Sequence, residues 1–443
     1  MFKKNQAETS SKHALQPQIR KSSRKKTKID YIALNEGEGK RILDEHFHKK
    51  AFIDEFEGHL VASVDEYIGE AQLQEYTNNI SILKPCKLAN EHFDQSGMNV
   101  KIKTEEGSVI ENGDINFKQL CQVLGLDSVV PVMDVLTQEN ETWTIGQWYE
   151  YYMSFASNST AQRLKNVISL EIGTKEVSID EFYGNAGKDT NANLKIGKAL
   201  HHSLALNIQR PKIVCDNDLL DKVWKYNNDE RITKPRIQKY CLTGVKGCYT
   251  DFHVDFAGTN VYYNVIKGEK WFLLYPMNEH NLKEYTKWCN SDLQNDIFLG
   301  TYLTDGKSFK IHSGELFLIP TGYIHAVYTP ENTYVIGGNY LTLDNLEKHI
   351  NVHELEVQLN VPRKFRFPEF DRIMVYIAEY ILDNPQLGKQ ELVSRIKLFL
   401  VKNVLTSISL KSIPKKKVKE LISKLAELIK DDAEFIKDDA ETT

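Results

Sequence analysis

Long apolar runs are missing from this chain of 443 residues. No stretch approaches the roughly 18 apolar residues that a membrane span requires. The start of the chain lacks the apolar segment of a secretory signal, so the expected place of work is cytosol or nucleus, with no membrane partner. Cysteine is sparse too. Cys86, Cys121, Cys215, Cys241, Cys248 and Cys289 form no close pair. That spacing excludes a recognisable zinc-finger reader module and reads as free thiols in a reducing compartment. Charge of one sign is not in excess either, since the formal net charge of −5 names no partner. What is present, 41% hydrophobic and 26% charged residues, is the composition of a globular protein with room for a large core and two domains.

Charge is nevertheless local at one end. "IRKSSRKKTK" holds Arg20, Lys21, Arg24, Lys25, Lys26 and Lys28 with no acid. Such a segment cannot bury a core, so residues 1–35 read as a basic tail. It suits nuclear import or a non-specific contact of residues 20–28 with DNA phosphates. A plain solvated tail is the alternative. Residues 36–198 mix both patterns: "RILDEHFHKKAFIDEF" and "GQWYEYYMSF" predict helices, and "NVISLEI" predicts a strand.

Strands dominate residues 199–362. "QKYCLTGVKGCYTDFHVDF", "NVYYNVIKGEKWFLLYP", "GELFLIPTGYIHAVYTP" and "TYVIGGNYLTL" are rich in β-branched and aromatic residues. Turn signals separate them, such as Lys267-Gly268 and Pro320 to Gly322. The spacing predicts an antiparallel sandwich or jelly roll. From residue 363 onward the period changes. "FDRIMVYIAEYIL", "KQELVSRIKLFLVKNVL" and "KKKVKELISKLAELI" repeat apolar residues at three and four steps, punctuated by Pro385 and Pro414. A small helical bundle docked on the barrel follows. The closing repeat "IKDDAEF", "IKDDAET" reads as a solvated acidic end.

One constellation carries chemistry. In "YTDFHVDFAGTNVYYNVIKGEK", His253 and Asp255 are two residues apart on a β-prone run, so they share a face. "IPTGYIHAVYTP" supplies His325 from another strand. Two histidines and a carboxylate form the facial triad of non-haem iron oxygenases, which leaves open coordination positions. His-x-Asp alone is a weak signal. Lys270, in an apolar strand, strengthens it, because a buried ammonium needs an anion and a dicarboxylate would serve. Thr250 is off-parity with His253, and only a bulge near residues 250–252 would turn it to the same face.

These residues sit in a longer resemblance. "YCLTGVKGCYTDFHVDFAGTNVYYNVIKGEKWF", "NDIFLG", "IPTGYIHAVYTP" and "VIGGNYL" resemble the JmjC domain of histone lysine demethylases. The likeness is to the JmjC domain-containing histone demethylation protein 1 type, directed at lysine 36 of histone H3. It extends through "VPVMDVLTQ", "NVISLEIG" and "QRPKIV" upstream and "NVPRKFRFPEF" downstream, and covers roughly residues 20 to 375. The resemblance implies an α+β fold: a JmjC/cupin-like double-stranded β-helix, or jelly roll, with flanking helices and a C-terminal helical domain. It implies Fe(II) on His253, Asp255 and His325, and 2-oxoglutarate held by Thr250 and Lys270. Asn166, Tyr263 and Asn339 match polar positions of the same pocket. It also implies a methyl-lysine histone H3 tail or nucleosome as substrate, release of formaldehyde, and work in the nucleus.

Two departures bear on this reading. The family's Gly-Gly after His-x-Asp is Ala257-Gly258 here, and a methyl would crowd the pocket if that position takes φ > 0. A residue usually histidine after the pocket tyrosine is Asn264. A JmjC protein hydroxylase and a non-catalytic chromatin scaffold are the competing readings.

Overall fold

A computed structural model describes residues 49–60, 84–88, 94–157, 163–172, 177–178, 182–183, 204–406, 410 and 412–441. The basic tail expected over residues 1–35 lies outside these. In chain order the strands are β1 (Cys86–Leu88), β2 (Asn99–Lys103), β3 (Val109–Glu111), β4 (Val129–Asp134), β5 (Asn140–Thr144), β6 (Lys165–Glu171), β7 (Ala205–Gln209), β8 (Tyr240–Gly244), β9 (Tyr249–His253), β10 (Asn260–Lys267), β11 (Glu269–Pro276), β12 (Lys307–His312), β13 (Leu316–Ile319), β14 (Tyr323–Tyr328) and β15 (Thr333–Tyr340). The helices used below are α1 (Lys49–Gly58), α2 (Phe117–Leu124), α3 (Ile145–Ser157), α4 (Glu279–Cys289), α5 (Leu346–Gln358), α6 (Phe370–Asp383), α7 (Gln390–Phe399) and α8 (Lys415–Glu441).

Two antiparallel sheets form the jelly roll. One has eight strands in the order β1-β13-β10-β15-β8-β6-β4-β5, the other four in the order β12-β11-β14-β9. Alternation in the sequence decides which side chains lie between them. Val261, Tyr263 and Val265 of β10 and Val335 of β15 meet Phe272 and Leu274 of β11 and Phe309 and Ile311 of β12 in one buried cluster. A third sheet, β3-β2-β7, packs Val100, Ile102, Leu206 and Ile208 into the same core cluster as barrel residues such as Tyr262 and Tyr334. The segment upstream of residue 198 is continuous with the barrel, because β6 pairs with β8 and carries β4 and β5 with it.

The turn between β10 and β11 shows why glycine stands there. Gly268 has φ +90, and a side chain would meet the Asn332 carbonyl oxygen at 2.5 Å. The tight reversal sets Lys270 as the second residue of β11. Helix α1 packs on β9 at the edge of the four-stranded sheet: Phe52 stacks on Tyr249 at 4.0 Å and meets Phe298 edge-on. Such aromatic pairs contribute about 1 kcal/mol beyond area burial.

The C-terminal helices build a second core. Ile350 of α5, Ile373 and Ile377 of α6, Ile396 and Phe399 of α7, and Leu425 of α8 are fully buried together. A π-helical turn, Leu400–Val404, continues α7, and the acidic repeat prolongs α8 to Glu441. Among the described residues no helix is long and apolar enough to cross a membrane.

Candidate metal centre

Strand parity brings the polar residues inward. Lys270 is in phase with Phe272 and Leu274, and Asn339 with Val335, both on the inner faces. His325 of β14 stands opposite His253 of β9 on one side and Leu274 of β11 on the other. Between the pairs His325–His253 and Val327–Thr250, one residue of β14, Ala326, faces two of β9, Asp251 and Phe252. This is the bulge that Thr250 needed, and it turns Thr250 into the cavity. All eight residues singled out from the sequence, His253, Asp255, His325, Thr250, Lys270, Asn166, Tyr263 and Asn339, line one cavity of about 550 Å³.

At one end of the cavity the two imidazoles and one carboxylate converge. One donor atom each from His253, Asp255 and His325 lies within 4.8 Å of the others, and His325 Nε2 is 3.8 Å from Asp255 Oδ2. The tautomers follow from the neighbours. His253 Nδ1 faces the Asp251 carbonyl oxygen at 2.8 Å and His325 Nδ1 that of Tyr323 at 3.3 Å. A carbonyl only accepts, so each Nδ1 donates its proton, and Nε2 is the nitrogen left to ligate a metal. Burial, with His253 alongside, pushes the His325 pKa well below the ordinary imidazole value. Burial raises that of Asp255, opposed by His253 and by a hydrogen bond from Asn339. Two imidazole nitrogens beside a desolvated carboxylate are the donor set that suits a divalent transition metal.

The other polar region lies around Lys270. Its ammonium is buried and donates to Thr329 Oγ1 at 2.6 Å. Burial lowers its pKa to about 8. Asn166 Oδ1 is buried without a hydrogen-bond partner. Both groups converge on Gly244, where a Cβ would lie 2.9 Å from Asn166 Oδ1 and 3.2 Å from Lys270 Nζ. Among the described residues no carboxylate pairs with Lys270, and a buried ammonium in that position favours an anion.

Comparison with known proteins agrees with this architecture. Residues 344–440 match the family model of the Jumonji helical domain. A relative from Kluyveromyces lactis, JmjC domain-containing histone demethylation protein 1, is 41% identical over 91% of this chain and 77% of its own length. Proteins of the same name from Saccharomyces cerevisiae and Candida glabrata are 39% and 36% identical, over 81% and 83% of this chain and 67% and 82% of theirs. The chain belongs to the JmjC domain-containing histone demethylation protein 1 family. In this member the helical domain starts with α5, ahead of the helix at Phe370.

The two departures resolve differently. Ala257 does take a left-handed conformation, φ +46 and ψ 28, yet its methyl is fully buried in the helical core with Leu346 and Ile350. The methyl therefore packs on the helical domain and does not crowd the cavity. Asn264 is out of phase with Tyr263 and lines a separate cavity of about 320 Å³ with Asn112 and Ser313. Both its amide atoms are buried without a partner. Sequence reasoning missed four contributors: Thr329, which binds Lys270; the Asp251 and Tyr323 carbonyls that orient the histidines; and Glu356, which accepts from the Ala257 amide at 2.8 Å. Thr329 and Glu356 reach their partners across 59 and 99 residues, which no local pattern carries, whereas the two carbonyls lie only two residues from their histidines and were open to a local reading.

Proposed function

We propose that this chain is an Fe(II)- and 2-oxoglutarate-dependent demethylase acting in the nucleus on methylated lysine 36 of histone H3. The observation that carries the reading is the pairing, in one cavity, of a two-histidine-one-carboxylate cluster with a buried lysine that lacks an anion. Formal charge supports it. A divalent cation and the Lys270 ammonium bring three positive charges against the two carboxylates that line the cavity, Asp251 and Asp255, so the remaining space favours an anion. The length fits as well. Thr250 lies two residues along the strand from the histidine level, roughly 7 Å at about 3.3 Å per residue, a span that a five-carbon diacid covers. The relatives' printed name supports histone demethylation. Lysine 36 comes from the resemblance of the triad region.

His253, Asp255 and His325 would hold the iron on one face. With O2 and 2-oxoglutarate the metal supplies the oxidation, the diacid leaving as succinate and CO2 and the methyl carbon as formaldehyde. The chain supplies the rest. Lys270 and Thr250 bind the distal carboxylate, as a point charge and a hydroxyl donor. Asn166 and Asn339 present amides to the same space. Tyr263, edge-on to Phe272 at 5.3 Å, closes the apolar wall and helps keep water from the reacting methyl. The basic residues 20–28 are assigned a salt-sensitive contact with nucleosomal DNA; deleting residues 1–30 should weaken nucleosome binding, and unchanged binding removes that assignment.

The test is mass spectrometry on histone H3 peptides carrying mono-, di- and trimethylated lysine 36, with iron, ascorbate and 2-oxoglutarate. The expected product has lost one methyl mass and released formaldehyde. A gain of one oxygen instead favours the hydroxylase reading. No turnover on peptides or on nucleosomes favours the scaffold.

A further inference from the structure

The loop that follows Asp255 is gripped by one face of α5. His349, Val352 and Glu356 stand three and four residues apart, so they project together. His349 Nδ1 donates to the Ala257 and Gly258 carbonyl oxygens at 3.2 and 3.0 Å. Its Nε2 accepts from the Thr342 amide at 3.2 Å. Val352 closes over Gly258, where a Cβ would come within 2.8 Å of its Cγ2. Glu356 Oε1 accepts from the Ala257 amide at 2.8 Å. All three side chains are buried.

The gripped residue is the strained one. Ala257 sits at φ +46, a conformation that L residues other than Asn and Asp rarely adopt. Inside the turn, the Gly258 amide donates to the Asp255 carbonyl oxygen at 2.8 Å and the Thr259 amide to that of Phe256 at 3.1 Å. Fixing the Ala257 amide therefore fixes the backbone on which Asp255 is mounted. Without an acceptor there, that amide would be a buried unpaired donor, and the turn would relax toward negative φ.

We propose that Glu356 of the helical domain is a positioning residue for the metal centre: it holds the Ala257 amide, keeps the turn left-handed, and so sets where the Asp255 carboxylate stands. The proposal rests on the reading of His253, Asp255 and His325 as metal ligands. It makes the helical domain part of the metal site, acting through the backbone and touching neither metal nor substrate.

The experiment is a Co(II) titration of the full-length metal-free protein, followed by visible absorption, with the thermal midpoint of each variant measured alongside. Glu356→Ala is expected to weaken Co(II) binding about tenfold, in the range seen when supports of metal ligands are removed. Glu356→Gln keeps an acceptor oxygen and the volume, and should restore the affinity. Glycine adopts positive φ freely, so Ala257→Gly placed on Glu356→Ala should recover most of the loss. Wild-type affinity in Glu356→Ala overturns the proposal, as does a Gln variant as weak as Ala. Should Glu356→Ala alone fail to fold, the double variant decides: near wild-type affinity supports the brace, and weak affinity overturns it. A wild-type chain that takes up no Co(II) overturns the metal-centre reading itself, a result separate from failure of the brace.

Discussion

His253 and His325 stand directly opposite each other on β9 and β14, their ring centroids 4.2 Å apart and their planes inclined at 53°. Two imidazolium ions could not share that space. Each ring is held through Nδ1 by a carbonyl of its own strand, His253 by Asp251 and His325 by Tyr323. With Asp255 on the third side, the three side chains could hold a cation between them.

Such an arrangement costs stability when no cation is there. Burial lifts the Asp255 pKa, so the ionised carboxylate is disfavoured in the metal-free protein. Asp255→Asn removes the charge and keeps the shape. It should raise the thermal midpoint of the metal-free protein, by roughly 1–2 °C in a chain of this size, while abolishing Co(II) uptake. Calorimetry with and without metal checks both halves. A midpoint that falls would show that the carboxylate stabilises the empty fold, contrary to this account.

Lys270 gives a pH dependence with a definite sign. Its folded pKa is lowered to about 8 by burial, and only the ammonium attracts a dicarboxylate. Affinity for 2-oxoglutarate should be flat below about pH 8 and fall above it, approaching about tenfold per pH unit for one linked proton. Binding should take up protons in that range. Lys270→Arg stays charged and should flatten the profile; Lys270→Met should remove the affinity. Titration calorimetry on Mn(II)-loaded protein in buffers of different ionisation enthalpy measures both. An affinity indifferent to pH from about 7 to about 9.5 would mean that Lys270 does not meet the diacid.

Much of this site was legible because a strand has a period of two. Parity carried Lys270 to the inner face with Phe272, whereas β9 ends at His253 and Asp255 stands two residues beyond it, at the head of the turn Phe256–Gly258, from where it still meets the two histidines. Thr250 failed the same test and was recovered only by the bulge, an irregularity that the residues 250–252 do not announce. The helices from Phe370 onward followed from their three- and four-residue repeats. Helix α5 did not stand out. "LEKHINVHELEVQ" carries His349, His353 and Glu356 on its buried side, and polar residues there look like a solvated face until Ala257 is seen beneath them. The extension of the sheet through β6, β4 and β5 was hidden as well, since pairing partners of an eight-stranded sheet are far apart in sequence.

His349 offers a stability test independent of the metal. It is fully buried and doubly hydrogen-bonded as the neutral Nδ1–H tautomer. Burial lowers its pKa from 6.5 to about 4. The unfolded chain therefore binds more protons between those values, and the contribution is present above pH 6.5 and lost as pH falls toward 4. The shift corresponds to about 3 kcal/mol at full extent. Glu356, raised to about 7 by burial, acts in the opposite direction over part of this range, so the variant isolates the effect. The stability difference between wild type and His349→Gln should shrink as pH drops from 6.5 to 4. Urea unfolding across that range measures it, and a constant difference would rule out the titration.

Gly244 tests the far end of the cavity by volume alone. It lies on β8 opposite Asn166 of β6 and Thr333 of β15, and the sheet is continuous on both sides. A methyl there would stand 2.9 Å from Asn166 Oδ1 and 3.2 Å from Lys270 Nζ, and in ordinary contact with Thr329. The first distance is closer than real Cβ contacts allow, but the atom met is a side-chain amide that can turn. The strand can therefore accept alanine, whereas the space where Lys270 and Asn166 converge cannot hold both the methyl and a carboxylate. Gly244→Ala should leave the fold and Co(II) uptake intact while weakening 2-oxoglutarate at least about tenfold, the effect expected when a bound ion loses its fitted contact. The pair of measurements separates the two ends of the cavity. If 2-oxoglutarate binds the variant as it binds the parent, the diacid does not reach Lys270, and the anion that this lysine awaits is something else.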